Sequence, residues 1–229
     1  MPGLTPEEWS AVQLSLRVAL LSTAVSLPFG LFFAWLLARR DFLGKGLLNG
    51  IVHLPLVLPP VVVGYALLVL LGRKGAIGAW LYDTLGVTVA FKWEGAAVAS
   101  AVMGFPLMVR AIRLSLDAVD RRLEAAALTL GASPVRVFAT ITLPLALPGV
   151  VTGAILAFAR SLGEFGATIT FVSNIPGETR TLPLALYSYT QVPGGDGPAL
   201  RLAVISVVLA MAALLASEIL ARRVAARLQ

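Results

Sequence analysis

The sequence contains no cysteine and one histidine, His53. This excludes a disulfide scaffold, a thiolate metal site and an iron–sulfur cluster, and leaves too few ligands for a histidine-based metal site. Charge is scarce too: 13% of the 229 residues are Asp, Glu, Lys or Arg, against roughly 25% in soluble domains. With 58% hydrophobic residues and a mean hydropathy of +0.89, too little polar surface remains to cover a water-facing globule. An integral membrane protein follows. No Gly-x-x-x-x-Gly-Lys-Ser/Thr string occurs, since Gly44-Lys45 is followed by Gly46, so there is no nucleotide-binding loop of that type. Without a histidine triad or zinc motif either, the chain by itself is expected to be non-enzymatic and free of cofactors and metal.

What is present is a series of apolar runs. Val18 to Ala38 is 21 residues without a charge, and Gly46 to Gly72 is 27 with only His53 titratable. Each is long enough to cross a hydrocarbon core of ~30 Å. Gly95 to Val109 has 15 uncharged residues, extended at one end by Arg110 and Arg113, which can snorkel. Val137 to Ala159 and Leu202 to Ser217 supply 23 and 16 more. About five spans are expected, a sixth being left open, in an all-α membrane protein of one domain over residues 1–229. Pro28, Pro55, Pro59, Pro60 and Pro106 fall inside these runs and predict broken or kinked helices. Small residues at helical spacing, Ala96/Ser100/Gly104 and Gly149/Gly153, predict close helix packing.

The net charge of +6 does not imply nucleic acid, because the basic residues lie between apolar runs. Three segments carry 11 of the 18: Arg39, Arg40 and Lys45; Arg110, Arg113, Arg121, Arg122 and Arg136; and Arg222, Arg223 and Arg227. By the positive-inside rule these face the cytoplasm, which puts the amino terminus outside and the carboxyl terminus inside, with Arg73, Lys74 and Lys92 dissenting. The start of the chain has Glu7 and Glu8 but no basic n-region, so the first span is expected to be its own targeting signal. No cytoplasmic regulatory domain is expected after the last span.

Two polar stretches remain: a cytoplasmic one over about 110–142 and an external one over about 165–198. In the first, Asp117 and Asp120 offer caps for a helix running to Leu130, and Gly131 is placed to end it in a left-handed conformation. Ser133-Pro134 reads as the cap and first position of a second helix that merges with the fourth span. A DNA-binding helix-turn-helix fits poorly between two membrane spans, and a solvated linker has no need of an alanine-rich face with two capped ends. A docking element for a cytoplasmic partner is the better reading. The external stretch contains Pro176-Gly177, Pro183 and Pro193-Gly194-Gly195-Asp196-Gly197-Pro198, so it cannot be one helix. Its segment Leu182 to Tyr189 is a candidate for re-entry into the membrane.

Ala126-Ala127, then Gly131, then Ile141-x-Leu143-Pro144 resembles the cytoplasmic signature of the permease subunits of binding-protein-dependent ABC importers. His53 to Tyr65, Ala159 to Phe171 with Asn174, and Glu178 to Pro183 are similar to the molybdate permeases within that family, with sulfate and tungstate permeases alike around Gly163-Glu164-Phe165-Gly166. The resemblance implies a type I importer permease fold, a homodimeric pore, two ATPase subunits that hydrolyse the ATP, an external (periplasmic) molybdate-binding protein, and residence in the cell inner membrane. It also implies that Glu124, Ala125, Ala126, Ala127, Gly131, Ser133 and Pro134 belong to a coupling helix seated on the ATPase. One departure stands out: the family's glutamate directly before Ala-Ala is Ala125 here, with Glu124 one residue earlier, a rotation of about 100° on a helix. The rival reading is a stand-alone anion channel or secondary transporter.

An oxyanion entering a narrow passage loses hydration, and a buried ion without partners is very costly. Ser161, Thr168 and Thr170, with backbone exposed at Gly163 and Gly166, are the nearest supply of weak donors, although the same residues suit ordinary helix contact. Arg160 and Glu164 are opposite charges at i, i+4 spacing near the end of a span. They read as a mutual pair, or Glu164 as a gate element bound to another helix.

Overall fold

The computed structural model describes the backbone of residues 4–226, and side chains up to Ala216 and at Ile219. The basic cluster Arg222, Arg223 and Arg227 therefore lies outside the described side chains. Among the described residues there are helices and connecting loops and no strand.

The first helix, α1 (Pro6–Arg39), begins at a reciprocal cap in which the Glu8 amide donates to Thr5 Oγ1 and the Thr5 amide donates to the Glu8 carboxylate. At 34 residues it is longer than a span needs. The next apolar run, expected as one span from Gly46 to Gly72 with prolines that break or kink it, is two helices, α2 (Lys45–Val57) and α3 (Pro60–Leu71), bent by 116°. The residue before a proline is driven from helical into extended conformation. Leu58 precedes Pro59, Pro59 precedes Pro60, and both have extended backbone, with ψ of 142° and 134°. By contrast, α1 and α2 run on through Pro28 and Pro55, and α5 (Trp93–Ala118) runs on through Pro106. Only the double proline breaks a span.

Between α3 and α5 lies α4 (Ala76–Leu85), which at 10 residues is too short to cross a bilayer. After α6 (Arg121–Thr129), the short α7 (Pro134–Val137) passes through a π-helical turn (Phe138–Thr142) into α8 (Leu143–Leu162). Three elements follow: α9 (Gly166–Val172), α10 (Leu182–Thr190) and α11 (Asp196–Ala226). Among the described residues four helices are long and apolar enough to span, and the bent pair counted as one makes five.

The core is the packing of α5 against α8 and α1. Ala96, Ser100 and Gly104 line the buried side of α5, with Gly104 against Ala157 and Gly153 against Met108, so the small-residue stripes do let the helices close up. Glu8, in the first turn of α1, is buried and sits 2.7 Å from Arg201 in the first turns of α11. The two helices thus start at the same end of the bundle, as an odd number of crossings demands.

The stretch expected as an external loop over about 165–198 holds two packed helices. Phe171 and Val172 of α9 are buried between α3 and α5, and Leu182 and Leu184 of α10 are buried near α1 and α11. Periodicity over seven residues is too short to announce such a helix.

Candidate functional site

Two regions carry the polar chemistry. The first is the segment from Val119 to Thr142. Asp120 caps α6 by accepting the Arg122 amide at 2.9 Å, whereas Asp117, expected as a second cap, lies in the last turn of α5, 3.6 Å from Arg113. The α5 helix continues through Asp117 because Leu116 and Val119 still have core to bury in. Gly131 has φ +86°, and the Ala132 amide returns to the Ala127 carbonyl, closing the turn. Ser133 then accepts the Arg136 amide, with Pro134 at the first helical position. No residue of α6 is buried. Ala125 and Ala126 are exposed, as are Gly131, Ser133 and Pro134, and Ala127 is half-buried. Leu123, Leu128, Leu130 and Val135 are large apolar side chains left on the surface.

Glu124 differs from its neighbours in direction. Its Oε1 accepts Thr142 Oγ1 at 2.7 Å and Arg39 Nε at 3.2 Å, so it faces the bundle. Arg39 also donates to the Val119 carbonyl, and Arg121 to the Ala38 carbonyl. The end of α1, the start of α6 and the π-turn before α8 are thereby joined. Sequence reasoning gave neither Arg39 nor Thr142 this role: Arg39 directly follows the first apolar run and Thr142 lies inside the fourth. In the loop after α1, Asp41 bonds Lys45 at 2.8 Å, and that hydrogen bond, then the Lys45 charge, holds its carboxyl below the ordinary range.

The second region is where two helix breaks meet. The α8–α9 break at Gly163-Glu164-Phe165 lies against the α2–α3 break: a Cβ on Gly166 would come within 2.8 Å of the Pro60 side chain, and one on Gly64 within 2.5 Å of the Ala167 carbonyl. Only residues without a side chain permit this approach. Glu164 is buried, accepts the Ala167 amide at 2.9 Å and so caps α9. Its other oxygen touches Arg160 at 2.7 Å as an ion contact without hydrogen-bond alignment. Phe165 packs on Tyr187 of α10, ring centres 5.2 Å apart. Asn174, Arg180 and Ser188 form one hydrogen-bonded chain beyond it.

The structure brings Arg160, Gly163, Glu164 and Gly166 together at this break. Ser161 goes elsewhere: it is buried among three helices, accepting Ser22 Oγ at 3.1 Å and donating to the Ser100 carbonyl at 3.4 Å. Thr168 is buried within α9, and Thr170 donates to its own helix at the Gly166 carbonyl. Backbone interrupted within apolar spans is tolerated only where protein or a water-filled cavity surrounds it.

The description "binding-protein-dependent transport system inner membrane component" matches residues 26–226. The chain belongs to that family. This permease is 66% identical over 219 residues to the molybdenum transport system permease protein ModB of Escherichia coli K12, covering 96% of each chain. It is 59% identical over 221 residues to the protein of the same name from Haemophilus influenzae, again with 96% of each chain covered. Among solved structures, a bacterial alginate ABC transporter in complex with an alginate-bound periplasmic protein superposes with a TM-score of 0.76 at 16% identity, over 96% of the permease and 80% of that chain. The inward-facing MetNI methionine ABC transporter gives 0.67 at 17% identity, over 95% and 94%. The fold is that of a type I importer permease in a multi-pass membrane protein.

Proposed function

We propose that this permease is the membrane subunit of an ATP-driven importer of molybdate or a similar tetrahedral oxyanion. It works as a homodimer, receives the anion from an external binding protein and docks two ATPase subunits that carry all of the ATP hydrolysis. Its amino terminus lies outside and its carboxyl terminus in the cytoplasm, so α6 is a cytoplasmic coupling helix.

The observation that carries this reading is the division of labour on α6. Ala125, Ala126 and the nearby leucines are uncovered, while Glu124 ties the same helix to α1 and to the π-turn that leads into α8. A surface that is apolar, exposed and rigidly joined to two spans suits a partner that must move them. Near-complete coverage of the two molybdenum permeases supports the cargo. The parallel start of α1 and α11 supports termini on opposite sides.

The test is uptake into proteoliposomes holding the permease and its ATPase, with binding protein outside, and molybdate, tungstate and sulfate in competition. ATP-dependent molybdate accumulation is expected. Accumulation that proceeds without ATPase or ATP would mean a channel or secondary transporter instead.

A further inference from the structure

Two adjoining cavities share a wall at the α6 end of the bundle. The first, about 400 Å³, is an apolar groove with Leu31, Phe32 and Trp35 of α1 on one side and Val135 and Phe138 on the other. Trp35 meets Phe138 edge to face, ring centres 6.3 Å apart, at its floor. The second, about 280 Å³, continues from the same Trp35, Arg40 and Phe138 and adds Arg39, Arg121 and Glu124. Three guanidinium groups face one carboxylate there.

Two of these cations have partners. Arg39 is held by Glu124 at 3.1 Å, and Arg121 donates to the Ala38 carbonyl at 3.1 Å. Arg40 is exposed, forms no ion pair among the described residues, and stands 5.4 Å from the Trp35 ring. It is an available positive charge at the mouth of an apolar slot.

The depth of the slot fits lipid. The groove begins at Pro28, and twelve helical positions to Arg40 cover ~18 Å, close to the half-thickness of a ~30 Å hydrocarbon core. Arg40 follows the uncharged run that ends at Ala38, so it lies at headgroup level, where tryptophan is also favoured. A free anion has no use for the groove, and an apolar peptide none for the arginine. An acyl chain with a negative headgroup uses both, and basic pockets between membrane helices on the cytoplasmic side hold such headgroups.

We propose that this composite cleft binds one anionic phospholipid, its chain along Phe32, Trp35 and Phe138 and its phosphate at Arg40. The lipid bridges α1 to the helix that follows the Gly131 turn, in parallel with the Arg39–Glu124 pair. The cleft stands independently of which oxyanion is imported.

The chain's four tryptophans permit a direct test, because Trp9, Trp80 and Trp93 lie outside both cavities. With those three changed to Phe, the full-length permease is reconstituted in phosphatidylcholine vesicles containing brominated phosphatidylglycerol or brominated phosphatidylcholine, and quenching of Trp35 is read. The glycerol lipid is expected to occupy the site about fivefold more readily, as one surface arginine confers. Arg40→Gln should bring that ratio towards one without changing quenching by the choline lipid. Arg40→Lys should keep it, and Arg122→Gln, exposed and outside the cleft, should leave it unchanged. Equal quenching by the two lipids overturns the proposal, as does a preference that survives Arg40→Gln. Absence of quenching by either lipid overturns it in favour of a protein surface covering the groove. Loss of the preference on adding phosphate or molybdate at constant ionic strength overturns it in favour of a free oxyanion.

Discussion

Glu124 and Arg39, 85 positions apart in the chain, meet at 3.1 Å and join α6 to the end of the first span. The contact turns the one carboxylate of α6 inward and leaves Ala125 and Ala126 beside it to face outward. In the proposed importer, a helix docked on a moving ATPase would transmit force only if attached to the rest of the molecule, and this pair would be part of that attachment.

Arg39→Gln should therefore uncouple rather than undock. The Arg39 side chain is only 8% exposed and its loss leaves Glu124 partly desolvated with Thr142 alone. An interaction energy of about 0.5–3 kcal/mol is expected from a double-mutant cycle of Arg39→Gln with Glu124→Gln. The measurement is molybdate imported per ATP hydrolysed, alongside ATPase co-purification. Co-purification should stay normal while the transport ratio falls; loss of association would contradict an inward role for Glu124.

At Gly131 the backbone, not the space, is limiting. A Cβ there meets nothing within 4 Å, yet φ is +86°. Forcing a β-branched residue into the left-handed region costs about 1–2 kcal/mol, so Gly131→Val should displace α6 relative to α7, whereas Gly131→Asn should be mild. Dimer mass in detergent should survive in both, and ATPase pull-down should fall only for valine. Normal pull-down and uptake with valine would show that the turn does not position the helix.

Arg160 and Glu164 give a test with opposite outcomes for the two roles of the carboxylate. Glu164→Gln retains an acceptor for the Ala167 amide but leaves Arg160 without its counter-charge; with the proposed anion path running past this break, a bare cation there should hold a dianion too long. Arg160→Gln leaves a buried carboxylate that repels the anion at entry. Breaking a buried pair from one side is costlier than removing both partners. The double variant should consequently recover more uptake than either single change. If it transports no better than the sum of the singles allows, the residues act independently, and capping of α9 becomes the main task of Glu164.

The meeting of the two helix breaks predicts a steric asymmetry. Gly64→Ala puts a methyl group against the Ala167 carbonyl at 2.5 Å, and Gly166→Ala puts one against Pro60 at 2.8 Å. Overpacking of this kind costs typically 1–3 kcal/mol. Thermal denaturation in detergent should show both variants less stable, with Gly50→Ala, which meets nothing within 4 Å, as the neutral control. Equal melting of all three would mean that α3 and α9 are loosely packed.

Much of this was legible from one dimension because the chemistry involved is local. Apolar run length identifies α1, α5, α8 and α11 since a bilayer imposes a fixed thickness on every span. The Asp120 cap, the Gly131 turn and the Ser133-Pro134 start are each written in two or three neighbouring residues. The i, i+4 pairing of Arg160 with Glu164 needs only a helix. The alanine face of α6 and its signature were likewise readable in register.

The double proline is a local break, since two successive residues are each driven out of helical backbone by the proline that follows, but tertiary structure alone decided what packs against it. It decided that Gly166 faces Pro60 and Gly64 faces Ala167, a contact between breaks about a hundred residues apart. It sent Ser161 into a three-helix junction with Ser22 and Ser100 rather than leaving it beside Glu164. Above all it supplied the partners of Glu124: a one-residue offset in sequence rotates a helical side chain by about 100°, and only the placement of α1 and α8 fixes what lies in that new direction.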